Sequence, residues 1–532
     1  MDPLTAVTTR QTPQTEPADA RQKPNAAGGY AFALGDDARV HRFLVLGTDG
    51  GTYYTSEREL TKDNAEVVLR AARERGEWLV AQVVAVSTAG RAPRQNPAIF
   101  ALAAASALAD DAGRKAAFAA LPAVCRTGTH LFLFARYVEQ FRGWGRGLRR
   151  AVAGWYLDRP VDDVAYQAVK YRQREGWSHR DLLRLAHPDT DDAARRDLFR
   201  WIVADEPAAD VPPLVSAFVA AQTASIPELI ELIGAHPLSW EMLPDTALGR
   251  PEVWRALVEK GMPQTALMRQ LPRLTRLGVL DGDTRRTVVA QLADADRLGK
   301  ARVHPVNVLV ALRTYASGRS ARGDGEWRPD RRVVDALDAA FYAAFGTVEP
   351  AGKRTLIALD VSGSMTAPAS GLPISCREAS AALALVTMAT EPDVDVVGFT
   401  SASRGGWGGP TVLSELPISP RQRLDDAIRA VSNLPFGGTD CALPILWAQE
   451  QGKAYDSFQV YTDNETWAGS THPHQALRRY REHSGIDARL VVVGMTASDV
   501  SISDPNDPGS LDVAGFDAAV PNLIADFSRG DV

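Results

Sequence analysis

Apolar residues recur at intervals of three and four from residue 61 to about residue 345, which predicts a long series of short amphipathic helices. The connections between these helices are short and carry glycine or proline. A single bundle core does not grow to this size, whereas helix pairs stacked side by side do. The pattern therefore predicts an α-solenoid of HEAT-like helix pairs, without a fixed-period sequence repeat.

The hydrophobic pattern changes after a boundary at residues 346–354. Beyond it, apolar runs typical of buried strands alternate with helical patterns, which predicts a doubly wound parallel sheet. The predicted strands are 355–360, 394–400, 457–463 and 488–494, and the predicted helices are 375–390, 421–432, 441–450, 473–484 and 519–527. The fold class is therefore multidomain, α plus α/β.

The beginning of the chain carries weaker patterns. Residues 1–27 are rich in Thr, Gln, Pro and Ala and have almost no large apolar side chains, which predicts a disordered tail. Residues 41–46 and 52–55 look like strands on either side of a glycine-rich turn, which predicts a hairpin. The predicted domains are the tail 1–27, the helical domain 28–350 and the α/β domain 351–532.

The net charge of −6 at pH 7 argues against a globally basic nucleic-acid-binding protein. The charge is uneven, because residues 126–187 carry 12 basic and 6 acidic residues whereas the α/β domain is acidic. The 3 cysteines lie far apart without paired spacing, which favours a reducing compartment. No apolar run is long enough for a membrane span and the tail lacks a signal-peptide core, so we expect a soluble cytoplasmic protein.

Five side-chain oxygens are placed at predicted strand ends or in a glycine-rich loop of the α/β domain. They belong to Asp360, Ser362, Ser364, Thr439 and Asp463. Because the carboxyl ends of parallel strands meet at one edge of a sheet, we expect these side chains to converge. Hard oxygens without Cys or His suit Mg²⁺, Mn²⁺ or Ca²⁺ rather than zinc. The alternative is a metal-free loop whose Asp and Ser side chains cap helices.

The five residues, in this order, resemble the metal-ion-dependent adhesion site of von Willebrand factor A domains. The resemblance implies that Asp360, the two serines and Thr439 contact a cation, Mg²⁺ first among the candidates, directly or through water. It also implies that Asp463 acts mostly through water and that an acidic group of a partner can complete the coordination.

Hydrolysis at this site would need a base or a metal-bound water poised on a substrate. Asp440 and Glu465 are near in sequence, but we predict that Asp440 caps the next helix and that Glu465 lies in a loop. The sequence has no Ser-His-Asp set, Walker A loop or H-E-x-x-H motif. We therefore do not expect an enzyme.

The basic region 126–187 forms a second candidate site. Arginines recur near helical spacing around Trp144 and Trp155, and Lys170 and Arg174 follow one helical turn apart, so we expect these two to face the same way. Basic side chains neutralise phosphates, and Tyr, Trp and His stack on unpaired bases. The same pattern also fits a solvated helix face whose aromatic residues belong to the core.

Segments in both domains resemble the Ro autoantigen, or TROVE-domain, family. They are residues 50–54, 176–187, 301–305, 327–330, 339–342, 347–350, 437–444, 461–466, 504–508 and 515–517. Their order is kept from about residue 28 to the end, and the chain is identified as a bacterial-type member. The tail, residues 205–225 and residues 403–410 do not follow the family pattern.

The resemblance implies a ring-shaped α-solenoid closed by the von Willebrand factor A domain, with a positively charged hole. It implies that Y RNA-like small noncoding RNAs bind the outer surface, and that single-stranded 3′ ends of misfolded or decaying RNAs enter the hole. The family's Y RNA contacts fall on Lys170, Arg174 and His187, with Tyr171 beside them. The candidates for the inner surface are Arg136, Arg146, Arg149 and Arg150.

The family also implies a role in RNA quality control and decay, with tethering to polynucleotide phosphorylase through Y RNA. We expect one protein copy in the ribonucleoprotein, and no DNA partner. Two other classes stay open: a metal-dependent adhesion scaffold without RNA, and a metal-dependent nuclease. Co-purifying nucleic acid distinguishes the first, and Mg²⁺-dependent RNA cleavage abolished by Asp360→Ala would establish the second.

Overall fold

A computed structural model describes residues 11–205, 210–320, 324–346, 348–400, 413–416, 418–420, 422–432 and 437–532. The chain forms two compact units. One combines the residues up to Val67 with Phe345–Val532, and the other is the continuous segment Val68–Ala344. The α/β unit therefore contains residues from both ends of the chain.

The N-terminal part of the α/β unit is ordered from residue 11. It contains β1 (Gln22–Pro24), β2 (Tyr30–Ala33), α1 (Asp36–Leu46) and the first part of α2 (Glu57–Glu74), a helix that continues into the second unit. β1 and β2 pair antiparallel, and Gln14 is fully buried. These contacts correct the predicted disordered tail for residues 11–27, while residues 1–10 lie outside the described part. The composition was misleading because this segment is held by polar hydrogen bonds rather than by large apolar side chains.

The predicted hairpin at residues 41–46 and 52–55 is wrong, because the first of these segments lies in α1. When an apolar run is short, the periodicity of its residues cannot distinguish a segment of a buried helix from a strand. Here Val40, Phe43 and Leu44 recur at helical spacing and are buried. Arg42 is buried with them, and its guanidinium donates to Asp512 at 2.6 Å. Gly47 ends the helix at a φ of 67°.

The second unit is helical almost throughout. Its elements are α3 (Gly76–Ala89), α4 (Asn96–Leu108), α5 (Asp111–Val124), α6 (Gly128–Phe141), α7 (Arg146–Leu157), α8 (Val161–Lys170), β3 (Gln173–Arg174), β4 (Trp177–Ser178), α9 (His179–Ala186), α10 (Ala193–Ala204), α11 (Pro213–Ala221), α12 (Ile226–Ala235), α13 (Pro251–Lys260), α14 (Gln264–Arg276), α15 (Gly282–Leu292), α16 (Ala295–Lys300), α17 (Pro305–Ala316) and α18 (Arg331–Ala343). The short β3–β4 pair interrupts what we predicted to be a purely helical region.

Helices two positions apart in this unit pack on each other, as in stacked helix pairs. α3 contacts α5, α4 contacts α6, α5 contacts α7, and α7 contacts α9. This arrangement confirms the prediction of HEAT-like helical repeats. The loop before α17 also returns to the loop after α3, where His304 Nε2 lies 3.3 Å from the carbonyl oxygen of Arg91. The ring implied by the family resemblance stays a prediction.

The remaining elements of the α/β unit follow after the helical segment. They are β5 (Thr355–Asp360), α19 (Cys376–Thr390), β6 (Val394–Phe399), β7 (Leu413–Glu415), α20 (Leu424–Ser432), α21 (Leu443–Glu450), β8 (Ser457–Thr462), α22 (Pro473–Ser484), β9 (Arg489–Gly494), β10 (Val500–Ser501), β11 (Ser510–Ala514) and α23 (Val520–Arg529). All four predicted strands and all five predicted helices are present. The two edge strands β7 and β11 were not predicted, and residues 403–410 lie outside the described part.

The main sheet has the strand order β11-β9-β8-β5-β6-β7, in which only β7 runs antiparallel. β5 and β8 are buried along their whole length, as expected for central strands covered on both faces. Leu356, Phe458, Val460 and Leu490 contribute to the core beside the sheet. Among the described residues, no helix is long and apolar enough to cross a membrane.

Candidate functional site

The sheet topology brings the predicted metal ligands to one edge. Asp360 is the last residue of β5, and Asp463 follows the neighbouring strand β8. Ser362 and Ser364 lie in the turn after β5, and their hydroxyl oxygens are 3.0 Å apart. Thr439 lies in the loop before α21, and its carbonyl oxygen accepts from the Trp467 amide in the loop after β8. The structure therefore groups the five residues as the sequence predicted.

Hydrogen bonds fix the first carboxylate of this group. One oxygen of Asp360 accepts the Ser362 amide at 2.9 Å, and the other accepts the Thr462 hydroxyl at 2.8 Å. Asp463 accepts the Glu465 amide at 3.1 Å through one oxygen only. The second oxygen of Asp463 and the hydroxyl of Thr439 are buried without a hydrogen-bond partner in the described part of the chain. Unpaired buried oxygens of this kind are costly unless something else binds them.

Electrostatics favour a cation at the same place. Burial raises the pKa of Asp360. Burial, followed by the charges of Asp360 and Glu465, raises the pKa of Asp463 to about 8. Burial also raises the pKa of Glu465 to about 7. Carboxylates crowded in a low-dielectric site repel each other, and a divalent cation would offset that repulsion. The five oxygen-bearing residues therefore fit Mg²⁺, with Mn²⁺ and Ca²⁺ as the other hard-cation candidates.

The two acidic residues considered as catalytic bases have structural roles. Asp440 accepts the Ala442 amide at 3.1 Å just before α21, and it also accepts the Gln14 side chain at 2.8 Å. Glu465 lies in a loop and accepts the Ala27 amide at 2.9 Å. Glu465 lies in a loop as predicted, whereas the N-cap of α21 is Ala442 and Asp440 instead holds the turn that precedes the helix.

Sequence reasoning missed the segment that holds these loops, residues 11–30, which we call the N-terminal strap. Besides Asp440, the Gln14 side chain donates to the Thr471 carbonyl oxygen at 2.8 Å and accepts from Thr466 and Gly469. Asn25 donates to the Thr466 carbonyl oxygen at 2.8 Å. No motif announces these contacts, because their partners lie more than 400 residues away in sequence.

The basic candidates belong to the helical unit. Arg146, Arg149 and Arg150 lie in the first half of α7 and are exposed. None of the three forms an ion pair within the described residues. Arg136 on α6 is also exposed, but it pairs with Glu175 in the turn between β3 and β4. The α7 arginines therefore present uncompensated positive charge, whereas Arg136 must first leave Glu175 to bind an anion.

Lys170 and Arg174 do not share a helix, so the predicted one-turn spacing is wrong. α8 ends at Lys170, and Arg174 lies on β3. The Lys170 side chain is only 9% exposed, and its ammonium lies 3.8 Å from Glu241 and within hydrogen-bond distance of the Tyr166 hydroxyl. Arg174 is exposed, and its only hydrogen bond in the described part goes to the neighbouring Gln173 carbonyl oxygen.

The other two predicted contacts flank this hairpin. His187 is exposed at the C-terminal end of α9, where it adopts a φ of 46°. Tyr171 is half-buried, and the Lys170 ammonium lies 5.4 Å from its ring centroid. Two further aromatic residues were not chosen from the sequence as site residues. Trp144 and Trp177 are half-buried, with ring centroids 5.5 Å apart. Trp155, by contrast, is a core residue whose indole donates to the Cys125 carbonyl oxygen.

The structure combines stacked helix pairs with an α/β domain that groups five oxygen-bearing residues beside its strand ends. This combination defines a helical-repeat protein with a von Willebrand factor A domain. Comparison with known proteins agrees. Residues 354–528 match the family model of the Ro60 vWA domain, and residues 23–209 and 234–314 match that of the TROVE domain.

Relatives match over nearly the whole chain. A Deinococcus radiodurans protein called RNA-binding protein RO60 is 42% identical over 542 residues, which cover 99% of both chains. The Caenorhabditis elegans protein of the same name is 36% identical over 600 residues, covering 98% of this chain and 92% of that one. The crystal structure of the D. radiodurans Ro (RSR) protein matches with a TM-score of 0.71 and 42% identity, covering 94% of this chain and 100% of that chain. The chain belongs to the Ro60 family of TROVE-domain proteins.

Proposed function

We propose that the protein is a non-enzymatic RNA-binding scaffold that acts in noncoding RNA quality control and RNA decay. Two observations support the proposal together. The chain is similar over nearly its whole length to two proteins named RNA-binding, and it has exposed arginines that lack carboxylate partners in the described structure. Such arginines bind phosphates without first breaking an ion pair. Most of the affinity for RNA then comes from the helical unit.

Two groups of basic residues correspond to two kinds of RNA in this proposal. Arg174 and His187, with Lys170 and Tyr171 behind them, bind Y RNA-like small RNAs on the outer surface. Arg146, Arg149 and Arg150, with Arg136 after its release from Glu175, bind single-stranded 3′ ends in the hole of the ring. Stacking on half-buried aromatic rings favours RNA with unpaired bases. The ribonucleoprotein is cytoplasmic, contains one protein copy, and reaches polynucleotide phosphorylase through the bound Y RNA.

Fluorescence anisotropy with two labelled RNAs tests this division. We expect Arg174→Ala with His187→Ala to weaken binding of a stem-containing RNA roughly tenfold, as the loss of one or two charge-assisted hydrogen bonds predicts. The same double variant should bind a single-stranded 3′ tail almost normally. The triple Ala variant at positions 146, 149 and 150 should show the opposite preference. The slope of log K against log salt should fall by about 0.7 to 0.9 per lost phosphate contact.

Arg250→Ala is a matched control, because Arg250 is exposed on the same unit but pairs with Glu252. It should leave both affinities unchanged. Equal losses on both RNAs in either multiple variant would contradict two separate surfaces. No RNA binding by the unmodified protein, even at low salt, would reject the scaffold in favour of a protein-adhesion function.

We also propose that Asp360, Ser362, Ser364, Thr439 and Asp463 hold a divalent cation. The support is the pair of buried unpaired oxygens on Thr439 and Asp463. When bound, the cation supplies positive charge to the crowded carboxylates and orients their loops. Calorimetric titration with MgCl₂ should show one site that Asp360→Ala removes, while the RNA affinity of that variant stays nearly intact. Mg²⁺-dependent RNA cleavage that Asp360→Ala abolishes would instead establish a nuclease.

A further inference from the structure

A cavity of about 640 Å³ lies between α5 and α7 of the helical unit, and we call it the α5–α7 cavity. Its volume falls within the range of about 300 to 1,000 Å³ that is usual for ligand pockets. Side chains of both helices line it, and one of them is Arg150. Because Arg150 belongs to the group that we assigned to single-stranded 3′ ends, the cavity is continuous with that proposed RNA surface.

Two glycines of α7 leave room for the walls of the cavity. Gly147 and Gly154 are seven residues apart and therefore lie on one face of the helix. A Cβ atom at Gly147 would stand 3.0 Å from the Phe118 ring, and one at Gly154 would stand 3.2 Å from a carboxylate oxygen of Asp158. Seven residues of helix rise about 10 Å, so the ring and the carboxylate can contact different parts of one ligand.

Asp158 carries a negative charge at a place where the helix does not favour one. It directly follows the last residue of α7, where the helix dipole stabilises cations rather than anions. It is exposed, and its carboxylate forms no ion pair in the described part of the chain. The guanidinium of the next residue, Arg159, instead donates to the carbonyl oxygens of Cys125 and Arg126. The carboxylate is therefore available to the hydrogen-bond donors of a ligand.

The cavity also has basic groups that are available. Lys115 and Arg150 are exposed and form no ion pair within the described residues. Arg114, by contrast, pairs with Asp111 at 3.1 Å, so these two charges offset each other. The half-buried ring of Phe118 completes the lining. The cavity thus offers two cations for a phosphate, an aromatic ring for a base, and a carboxylate for ribose hydroxyls.

We propose that the α5–α7 cavity binds the 3′-terminal nucleotide of single-stranded RNA and recognises its free 2′- and 3′-hydroxyls. The inference rests on the proposed binding of 3′ ends by the α7 arginines and specifies how the end itself is read. Phe118 stacks on the last base, and Lys115 and Arg150 bind the last phosphodiester. Asp158 accepts hydrogen bonds from the two hydroxyls. A 3′-phosphate would lie against this carboxylate and be repelled, so RNA that ends in a phosphate is disfavoured.

Fluorescence anisotropy with 5′-labelled single strands of one sequence tests the cavity. The strands end in a 3′-hydroxyl, in a 3′-phosphate or in a 2′,3′-dideoxynucleotide. We expect the unmodified protein to bind the phosphate-ended strand roughly tenfold more weakly than the hydroxyl-ended strand. The dideoxy strand should bind roughly threefold to tenfold more weakly, because it lacks the donors for Asp158. The sign of the first difference is informative, since an added phosphate strengthens binding to a basic surface that does not read the end.

Substitutions connect this preference to the cavity. Asp158→Asn removes the charge and keeps the size of the side chain, so it should reduce the penalty of the 3′-phosphate to about twofold or less. Phe118→Leu keeps an apolar side chain and removes the stacking ring, so it should weaken binding of the hydroxyl-ended strand about fivefold. Asp162→Asn is the matched control, because Asp162 is exposed at the start of α8 and does not line the cavity. It should behave like the unmodified protein.

The possible failures can be told apart. If the strands bind through the α7 arginines but the hydroxyl-ended and phosphate-ended forms bind equally well, the terminal site is rejected and the proposed RNA surface stands. If the preference for the hydroxyl end is unchanged in Asp158→Asn, the end is not read in this cavity. If the unmodified protein binds none of the strands at low salt, the proposed binding of 3′ ends is rejected and the terminal site with it.

Discussion

Gln14 is the residue through which the ordered N-terminal strap can be tested most directly. Its side chain is fully buried and bridges two loops of the α/β unit. Its amide nitrogen donates to Asp440 and to the Thr471 carbonyl oxygen, both at 2.8 Å. Its amide oxygen accepts from the Thr466 hydroxyl and the Gly469 amide. Gln14→Ala removes all four hydrogen bonds and adds no new group.

The size of the effect follows from what remains behind. A hydrogen bond contributes about 1 kcal/mol net, and a buried polar group left without its partner costs about 1 to 3 kcal/mol. Asp440 and the Thr471 carbonyl oxygen lose their Gln14 donor, although Asp440 keeps the Ala442 amide. We therefore expect a loss of about 3 kcal/mol in the free energy of unfolding of the α/β unit. For a unit of this size, that loss lowers the melting temperature by roughly 6 to 12 °C.

Differential scanning calorimetry of the full chain measures this shift. Gln11→Ala is the matched control, because Gln11 belongs to the same segment and is exposed. It should leave the melting temperature within about 1 °C of the unmodified protein, since exposed substitutions of this kind change stability little. Limited proteolysis should also cut the strap faster in Gln14→Ala than in Gln11→Ala. Equal melting temperatures and equal cleavage rates for the two variants would show that the strap does not hold these loops.

Three further predictions concern other parts of the molecule. Burial lowers the pKa of His179 to about 4, so the stability that depends on its neutral form is fully present above pH 6.5 and is lost as the pH falls towards 4. In His179→Gln, the free energy of unfolding measured with urea should therefore decrease less between pH 6.5 and pH 4 than in the unmodified protein, by on the order of 3 kcal/mol. All three cysteines are buried, and burial raises the pKa of their thiols. A thiol reagent should therefore label no cysteine in the native protein and 3 cysteines in denaturant. Fast labelling of the native protein would contradict this. Lys170→Ala should lower the melting temperature, because its ammonium contacts Tyr166 and Glu241, whereas Arg174→Ala should weaken RNA binding without a change in melting temperature.

The sequence predicted the parts of the fold that depend on local patterns. Strands such as Thr355–Asp360 and Ser457–Thr462 are continuous apolar runs, and their ends placed Asp360 and Asp463 together because parallel topology leaves few alternatives. The edge strands β7 and β11 are short or half-exposed, so they lack that signal.

The errors occurred where tertiary contacts decide the outcome. The strap is ordered by hydrogen bonds from Gln14 and Asn25 to distant loops, and composition does not register such contacts. Residues 41–46 lie in a helix whose Arg42 donates to Asp512 and to carbonyl oxygens of Ser498 and Val500, all far away in sequence. Arg174 does not lie on the helix that we predicted, because α8 ends at Lys170 and the chain continues into β3. The first two outcomes required partners that a local window does not contain, whereas Arg174 pairs with the nearby Trp177 across the β3–β4 hairpin.

The pairing of β2 with β10 also has a consequence for biosynthesis. Phe32 is in register with Ser501, so 469 residues (501 − 32) must be added before the strand finds its partner. At about 5 to 20 residues per second, that interval lasts roughly 20 to 90 seconds. The helical segment Val68–Ala344 is synthesised well before then, whereas β2 lacks its partner β10 until nearly the whole chain has been made. The three-stranded sheet of β1, β2 and β10 can therefore be completed only when the last tenth of the chain has been synthesised.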